Sequence, residues 1–576
     1  MVLLPFFETI SRLFNFNNIP ASQVLVQHCT LWLAFLGAVL ATRDNKLLSL
    51  TRDPLFDKKD SFHVGKWIAK NTTFLVLLAL TYGSFELIKV EAISSIDIAP
   101  YIPRWFGQII MPVGFGIMAL IIFQNSFTHF GYKTLTILLV ILLTNQLFLD
   151  TITDLIPIRI FGSIFILIAL LNGAPIFVGL GGLAVLFFWY DYTPVASISA
   201  ETYRIVVSPT LPTIPLFTLA GYLLAESKTS ERLVMVFRQV FGWIPGGIPV
   251  VIILLCGFFS ALTGGSGVTI LALGGLLVPL LIKEGYTKSF SIGLITVSGS
   301  IGLLFPPSLP VIIYGITAGI SIKSVFLAGL IPGLVLITVI SFWALYQGKT
   351  SNIVLEKFNF KKAIKICWRT KSELSIPFLI IFGIFGGFTT LVEAASIIVI
   401  YILIIEIFVL KDIDIWDLPR IIKECSSLIG GVLIILGVAM GLTSYLIDAQ
   451  IPDLLLEQAK ILIKSKLLFL LLLNIFLLIV GCLMDIFSAI IVIVPLIAPL
   501  GLYFGVDPVH LAIIFIANLE LGFLTPPVGM NLFLAAYRFD EDMPTIYKAT
   551  LPFFTVKLFV VLLITYLPFL TLIFQR

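Results

Sequence analysis

The chain has 576 residues, 59% hydrophobic and only 12% charged, with a net charge of +4 and a mean hydropathy of +1.10. A soluble domain carries about a quarter charged residues, so this composition excludes an ordinary globular enzyme and defines an all-α polytopic membrane protein. Five scattered cysteines without a CxxC and four unclustered histidines support neither a disulfide framework nor a zinc or haem centre, and no nucleic-acid partner is expected.

Taken in chain order, the first fifteen residues, MVLLPFFETISRLFN, lack a basic n-region and a cleavage site, so they do not read as a signal peptide. Apolar spans follow at 2–15, 23–42, 72–92, 105–125, 134–149, 157–172, 174–190, 211–226, 246–283, 287–320, 324–346, 374–388, 390–410, 426–447, 467–500, 508–536 and 549–573. Two of these, 246–283 and 467–500, exceed one crossing of about 20 residues and carry a small or polar centre, the pattern of a re-entrant hairpin. Two others, 287–320 and 508–536, are interrupted by Pro306-Pro307 and Pro526-Pro527. Proline removes a backbone donor and stops a helix. In lipid, such a break is tolerated only where protein covers it or where it lines a cavity.

Lysine and arginine set the orientation. The loops 43–71 and 349–372 are basic, with smaller clusters at 228–238, 283–288 and 411–423. One topology puts all of these in the cytoplasm, with the N-terminus inside, both hairpins re-entrant and the C-terminus outside. Lys460, Lys464 and Lys466 then fall outside, beside the amphipathic segment IPDLLLEQAKILIKS, which suits the membrane interface.

Sliding the sequence by 220 residues lays GLLFPPS at 302 on GFLTPPV at 522. Pro332 falls on Pro552 in the same register, and VPL at 278–280 matches VPL at 494–496 at a shift of 216. An odd number of crossings in the first unit makes the halves inverted repeats. Matched interrupted helices in inverted repeats mark the binding site of a secondary transporter. The breaks free carbonyls for a small cation and expose helix N-termini that suit an anion.

The first hairpin tip, SALTGGSGVTI, offers the hydroxyls of Thr263 and Ser266 and three close-approach glycines. The second, CLMDIFSA, offers Asp485 and Ser488. Hard oxygen ligands suit Na+, and a carboxylate deep in an apolar run is functional by default. Glu520 is expected beside the second break, Glu393 either caps a helix or joins the site, and Glu226 and Asp448 read as interfacial. Gly264-Gly265-Ser266-Gly267 also fits the G-x-S-G of intramembrane serine proteases, which needs a histidine base; only His510 lies near a late span. There is no G-x-x-x-x-G-K-[ST], hence no ATP-binding loop of that kind.

Several motifs resemble the membrane component of tripartite ATP-independent periplasmic (TRAP) transporters with small and large subunits fused. They are GAPI (173–176), IPLFTLAGYLL (214–224), ERL (231–233) with PGG (245–247), TGGSG (263–267), PPS (306–308), AGLIPG (328–333), GCLMD (481–485) and LTPPVGMNLF (524–533). The resemblance implies a four-helix small-subunit region over 1–130, a fusion helix and linker over 131–154, a first large-subunit repeat over 155–348, a basic connector over 349–372 and a second repeat over 373–576. It implies an elevator-type transporter in the bacterial inner membrane, importing an organic anion such as sialic acid or a C4-dicarboxylate together with two or more Na+ after delivery by a periplasmic substrate-binding protein.

The same resemblance places one sodium site at Thr263, Gly264, Ser266, Gly302, Leu304 and Pro307, and a second at Asp485, Gly522, Thr525, Pro526 and Met530. It places the substrate between the tips, near Gly265, Ser266, Ser308, Asp485, Ser488 and Asn531, with Thr390 and Glu393 as further candidates. Three features depart from the family: a short first helix, Thr390-Leu391-Val392-Glu393 where T-P-T-E is common, and Thr269 where a polar or acidic residue follows the first tip. The competing reading is a stand-alone Na+- or H+-coupled carboxylate symporter of related fold.

Overall fold

The computed structural model describes residues 1–14, 21–49, 64–93, 96–99, 101–126, 157–244, 247–349, 359–526 and 529–575. The expected fusion helix and linker, Pro527 and the centres of both large basic loops lie outside these residues. Nine helices among the described residues are long and apolar enough to cross a membrane. A tenth span is formed by Lys288–Leu304 with Leu309–Ala318, bent by 44°.

The chain folds as two units. One comprises Leu3–Pro212 with Ile422–Ile451. Its helices are α1 (Leu3–Leu13), α2 (Ser22–Arg43), α3 (Val64–Ile93), α4 (Arg104–Gln108), α5 (Ile110–Ser126), α6 (Ile158–Leu171), α7 (Ile176–Tyr190) and α8 (Ala196–Val206), with a two-stranded ribbon, β1 (Asp97–Ala99) and β2 (Ile102–Pro103). Helices α2 and α3 both pack on α5, and α8 packs on α3. Small residues let membrane helices approach closely. At Gly37 of α2 an added Cβ would stand 2.1 Å from Ser426 O, and at Gly430 it would stand 2.2 Å from the Gly37 backbone. Ser84 and Ser199 share a hydrogen bond of 2.9 Å, and the His28 Nε2–Tyr203 Oη pair lies at 3.0 Å.

The second unit comprises Thr213–Ile421 and Pro452–Arg576. It opens with α9 (Thr213–Glu226) and α10 (Thr229–Phe241). A helix pair follows, α11 (Gly247–Thr263) and α12 (Ser266–Lys283), turning at Gly264-Gly265. Then come α13 (Lys288–Ser298), a 3₁₀ turn over Ile301–Leu304, α14 (Leu309–Ala318) and α15 (Ile322–Lys349). After α16 (Phe360–Arg369), α17 (Lys371–Phe385) and α18 (Leu391–Leu403), the long α19 (Leu418–Asp448) carries the chain through the segment that belongs to the first unit and on to α20 (Ile451–Leu462). The pattern of pair, break and long helix then recurs as α21 (Lys466–Leu483) with α22 (Ile486–Tyr503), α23 (Pro508–Gly522), α24 (Met530–Phe539) and α25 (Met543–Tyr566), before a final turn, α26 (Phe569–Leu572).

The recurrence extends to the caps. Thr287 caps α13 by accepting from Phe290 N, and Asp507, 220 positions on, caps α23 by accepting from Val509 N and His510 N. Side-chain acceptors at these positions satisfy donors that a helix start leaves open. Packing is reciprocal as well: α13 lies on α25 and α23 on α15, while α14 lies on α22 and α24 on α12. Three amphipathic helices, α8, α10 and α16, occupy segments outside the spans expected from hydropathy, because interleaved charge lowers their mean without removing a helical apolar face.

Candidate functional site

Each broken span meets the tip of its own hairpin. At Gly302, in the first break, an added Cβ would lie 2.1 Å from Gly257 O and 2.5 Å from Ala261 N of α11. At Gly522, where the second span breaks, it would lie 2.6 Å from Gly481 Cα of α21. The pairs 302/261 and 522/481 are again 220 apart, and only a residue without a side chain permits such contact. Just beyond each glycine the chain makes the same tight turn: Phe305 N donates to Gly302 O at 3.0 Å, and Thr525 N to Gly522 O at 2.9 Å. Gly529 N then donates to Cys482 O at 3.2 Å, tying the second tip to the second break through the backbone.

The first tip also touches the start of α14 and the opposite half of the repeat. Gly264 has φ +67°, and its open side abuts Leu309 at the start of α14. Ser266 Oγ donates to Asn531 Oδ1 at 2.6 Å, so the first turns of α12 and α24 meet, both buried. Ser308, which precedes α14, is buried, and its hydroxyl has no hydrogen-bond partner among the described residues. The Nδ2 of Asn531 is in the same condition. A buried donor left unpaired is costly, and helix N-termini carry partial positive charge. Together these features favour an anion at the first tip.

Asp485 sits at the start of α22. Its Oδ2 accepts from Phe487 N and Ser488 N, both at 3.0 Å, and its Oδ1 accepts from Ser488 Oγ at 2.6 Å. The remaining carboxylate lone pairs stay available to a cation. Of the other expected site residues, Thr263 donates to Phe259 O at 2.8 Å, and the Leu304 carbonyl faces Gly329 of α15. Pro307 is buried in the break, Thr525 donates to Leu521 O at 3.1 Å, Pro526 is exposed, and Met530 begins α24 half-buried. Gly265 lies in extended backbone as the N-cap of α12.

Thr390 and Glu393 form a capping box on α18: Thr390 N donates to Glu393 Oε2 at 2.8 Å, and Glu393 N donates to Thr390 Oγ1 at 3.3 Å. These two bonds perform the capping role open to Glu393, and the box does the helix-starting work of the missing proline of T-P-T-E. The serine and histidine of the protease alternative bond to other partners. Ser266 is bonded to Asn531, while the His510 ring is held by Thr571 Oγ1 at 2.8 Å and Thr565 O at 3.2 Å.

Two charged clusters join residues that no sequence motif pairs, although Arg232 itself lies in the ERL motif. Lys557 Nζ of α25 lies 2.9 Å from Glu520 Oε2 and donates to Ser300 Oγ at 2.7 Å, with both charged side chains 0% exposed. Arg232 of α10 is held by Glu373, Glu406 and Asp412, and Thr229 Oγ1 donates to Glu406 Oε1 at 2.9 Å. A lysine within the expected span 549–573 and the acid Glu520 within 508–536 are the signals that point to the first cluster. Nothing in sequence spacing points to the second.

A helical membrane bundle that breaks two spans in register and seats each break on a hairpin tip defines a transport protein of the permease class. The chain belongs to the tripartite ATP-independent periplasmic transporter family: the model of its DctM component matches residues 161–570, and that of its DctQ component matches residues 1–131. It is 29% identical over 565 residues to the isethionate TRAP transporter permease protein DctMQ of Oleidesulfovibrio alaskensis, covering 96% of this chain and 88% of that one. It is 30% identical to the C4-dicarboxylate TRAP transporter large permease protein DctM of Rhodobacter capsulatus, covering 72% of this chain and 97% of the relative. It is 33% identical to the uncharacterized protein YgiK of Salmonella typhimurium, covering 72% and 96%.

Proposed function

We propose that this permease is a Na+-coupled symporter of the inner membrane. It imports a small organic anion handed over by a periplasmic substrate-binding protein, and a transport domain that holds both hairpins and both breaks slides as an elevator against a scaffold. The observation that carries this reading is the meeting of each break with its own hairpin at matched positions. Asp485 with the second break, and Thr263 and Ser266 with the first, supply hard oxygens for Na+. Ser308 Oγ and Asn531 Nδ2, unpaired among the described residues, supply donors for a carboxylate or sulfonate. The names of the relatives make isethionate and the C4-dicarboxylates the first candidates.

A membrane potential does about 2.3 kcal/mol of work per charge per 100 mV. Two Na+ entering with one monoanion carry a net positive charge inward, so uptake is electrogenic and accelerated by an inside-negative potential. The test is uptake of labelled isethionate and succinate into proteoliposomes with and without an inward Na+ gradient and the partner binding protein. Uptake that requires both supports the reading. Robust uptake by this chain alone favours a stand-alone symporter, and uptake indifferent to Na+ rejects the coupling.

A further inference from the structure

Ser300 and Glu520 occupy the same place in the two halves. They are 220 positions apart, and each lies two residues before the glycine at which its span breaks. One ammonium touches both: Lys557 Nζ donates to Ser300 Oγ at 2.7 Å and stands 2.9 Å from Glu520 Oε2. Lys557 rides on α25, which packs against both α13 and α23, the helices that lead into the two breaks. The cluster is sealed from solvent, with Ser300, Glu520 and Lys557 each 0% exposed.

An ion pair at this depth is a poor source of stability, since a well-packed apolar pair in its place is often as stable or more so. What it supplies is a directional link. One ammonium thus hydrogen-bonds the Ser300 hydroxyl and ion-pairs the Glu520 carboxylate, two groups that would otherwise be independent.

We propose that Lys557 is a positioning residue that couples the two cation sites, tying the turn before the first break to the turn before the second so that Na+ at one orders the other. The proposal rests on the reading that the breaks bind Na+. Coupling between sites is reciprocal and is typically a 5- to 150-fold effect on affinity.

The experiment is hydrogen–deuterium exchange on the full chain in lipid nanodiscs, titrating NaCl against choline chloride at constant ionic strength and following segments 299–305 and 521–526. In the wild type both segments gain protection with one common Na+ midpoint. Lys557→Met alone strands Glu520 in the core, so the deciding variants are Lys557→Met with Glu520→Leu, which removes the pair without leaving a charge, and Ser300→Ala, which cuts only the tie to the first break. Each is expected to split the two midpoints by about fivefold or more, whereas Lys557→Arg keeps them together. A single shared midpoint in either deciding variant overturns the tie and leaves the sodium reading intact. Absence of Na+-dependent protection in the wild type overturns both.

Discussion

Asp485 stands out in the sequence because an isolated carboxylate in an apolar run is rare, and its surroundings in the fold say how to test it. Its Oδ2 caps α22 through two backbone N–H groups and its Oδ1 accepts from Ser488. Asparagine is as good a cap acceptor as aspartate, so Asp485→Asn removes the charge and spares the helix start. At limiting Na+, the initial uptake rate is expected to fall about tenfold or more, because a charged acceptor binds roughly twice as strongly as a neutral one and 1.4 kcal/mol is tenfold. The melting temperature should stay near that of the wild type. Unchanged uptake at limiting Na+ removes Asp485 from the ion site. Lys557 escapes a sequence reading for the opposite reason: its partners are distant along the chain, and only packing brings Ser300 and Glu520 to it.

The interruptions are readable from proline, glycine and length: among the described residues a helix pair turns at Gly264-Gly265, another at Met484-Asp485, and the span before Pro306 is bent by 44°. What the sequence does not convey is how tightly they fit. Gly302→Ala would place a methyl 2.1 Å from Gly257 O, and Gly522→Ala would place one 2.6 Å from Gly481 Cα. Such overpacking typically costs about 1–3 kcal/mol. Each variant is expected to lower the melting temperature and to lose uptake, and uptake at wild-type level would show that the break and the tip need not touch.

Helix α18 gives the contrasting case. Thr390→Ala opens the capping box and should cost about 1 kcal/mol of stability, read as a lower melting temperature. Glu393→Gln preserves the box geometry, so its uptake should remain within about twofold of wild type (a range set by the few tenths of a kcal/mol expected at such a site). A larger loss would return Glu393 to the transport site. The amphipathic helices α8, α10 and α16 escape the sequence reading because hydropathy averages over both of their faces.

At the scale of the whole molecule, the second unit closes on Arg232. One guanidinium on α10 binds Glu373 of α17, Glu406 in the π-helical segment Ile404–Val409 that follows α18, and Asp412 in the loop beyond, joining segments far apart in sequence. Burial works against its charge, but the hydrogen bond it donates to Asp412 and the nearby Glu373 and Glu406 outweigh that and hold the arginine above its ordinary range. Arg232→Ala leaves three acids, two of them almost fully enclosed, without their cation. Removing one partner from a buried pair typically costs about 3–5 kcal/mol, so the variant should express poorly or melt far below the wild type. Arg232→Lys should recover only part of the loss, because a point charge cannot replace a planar fork. A variant Arg232→Ala that melts with the wild type would show the acids are satisfied otherwise.

The unmatched amide of Asn531 and hydroxyl of Ser308 have a thermodynamic corollary. A solute that pairs with these donors in the folded state alone stabilises that state by mass action. At a hundred times its dissociation constant, a ligand that binds only the folded state adds about 2.7 kcal/mol. Ranking carboxylates and sulfonates by the upward displacement of the unfolding curve, in sodium and then in choline, is therefore expected to pick out the cargo and its co-ion together, and a flat response across both salts would show those donors have no solute to serve.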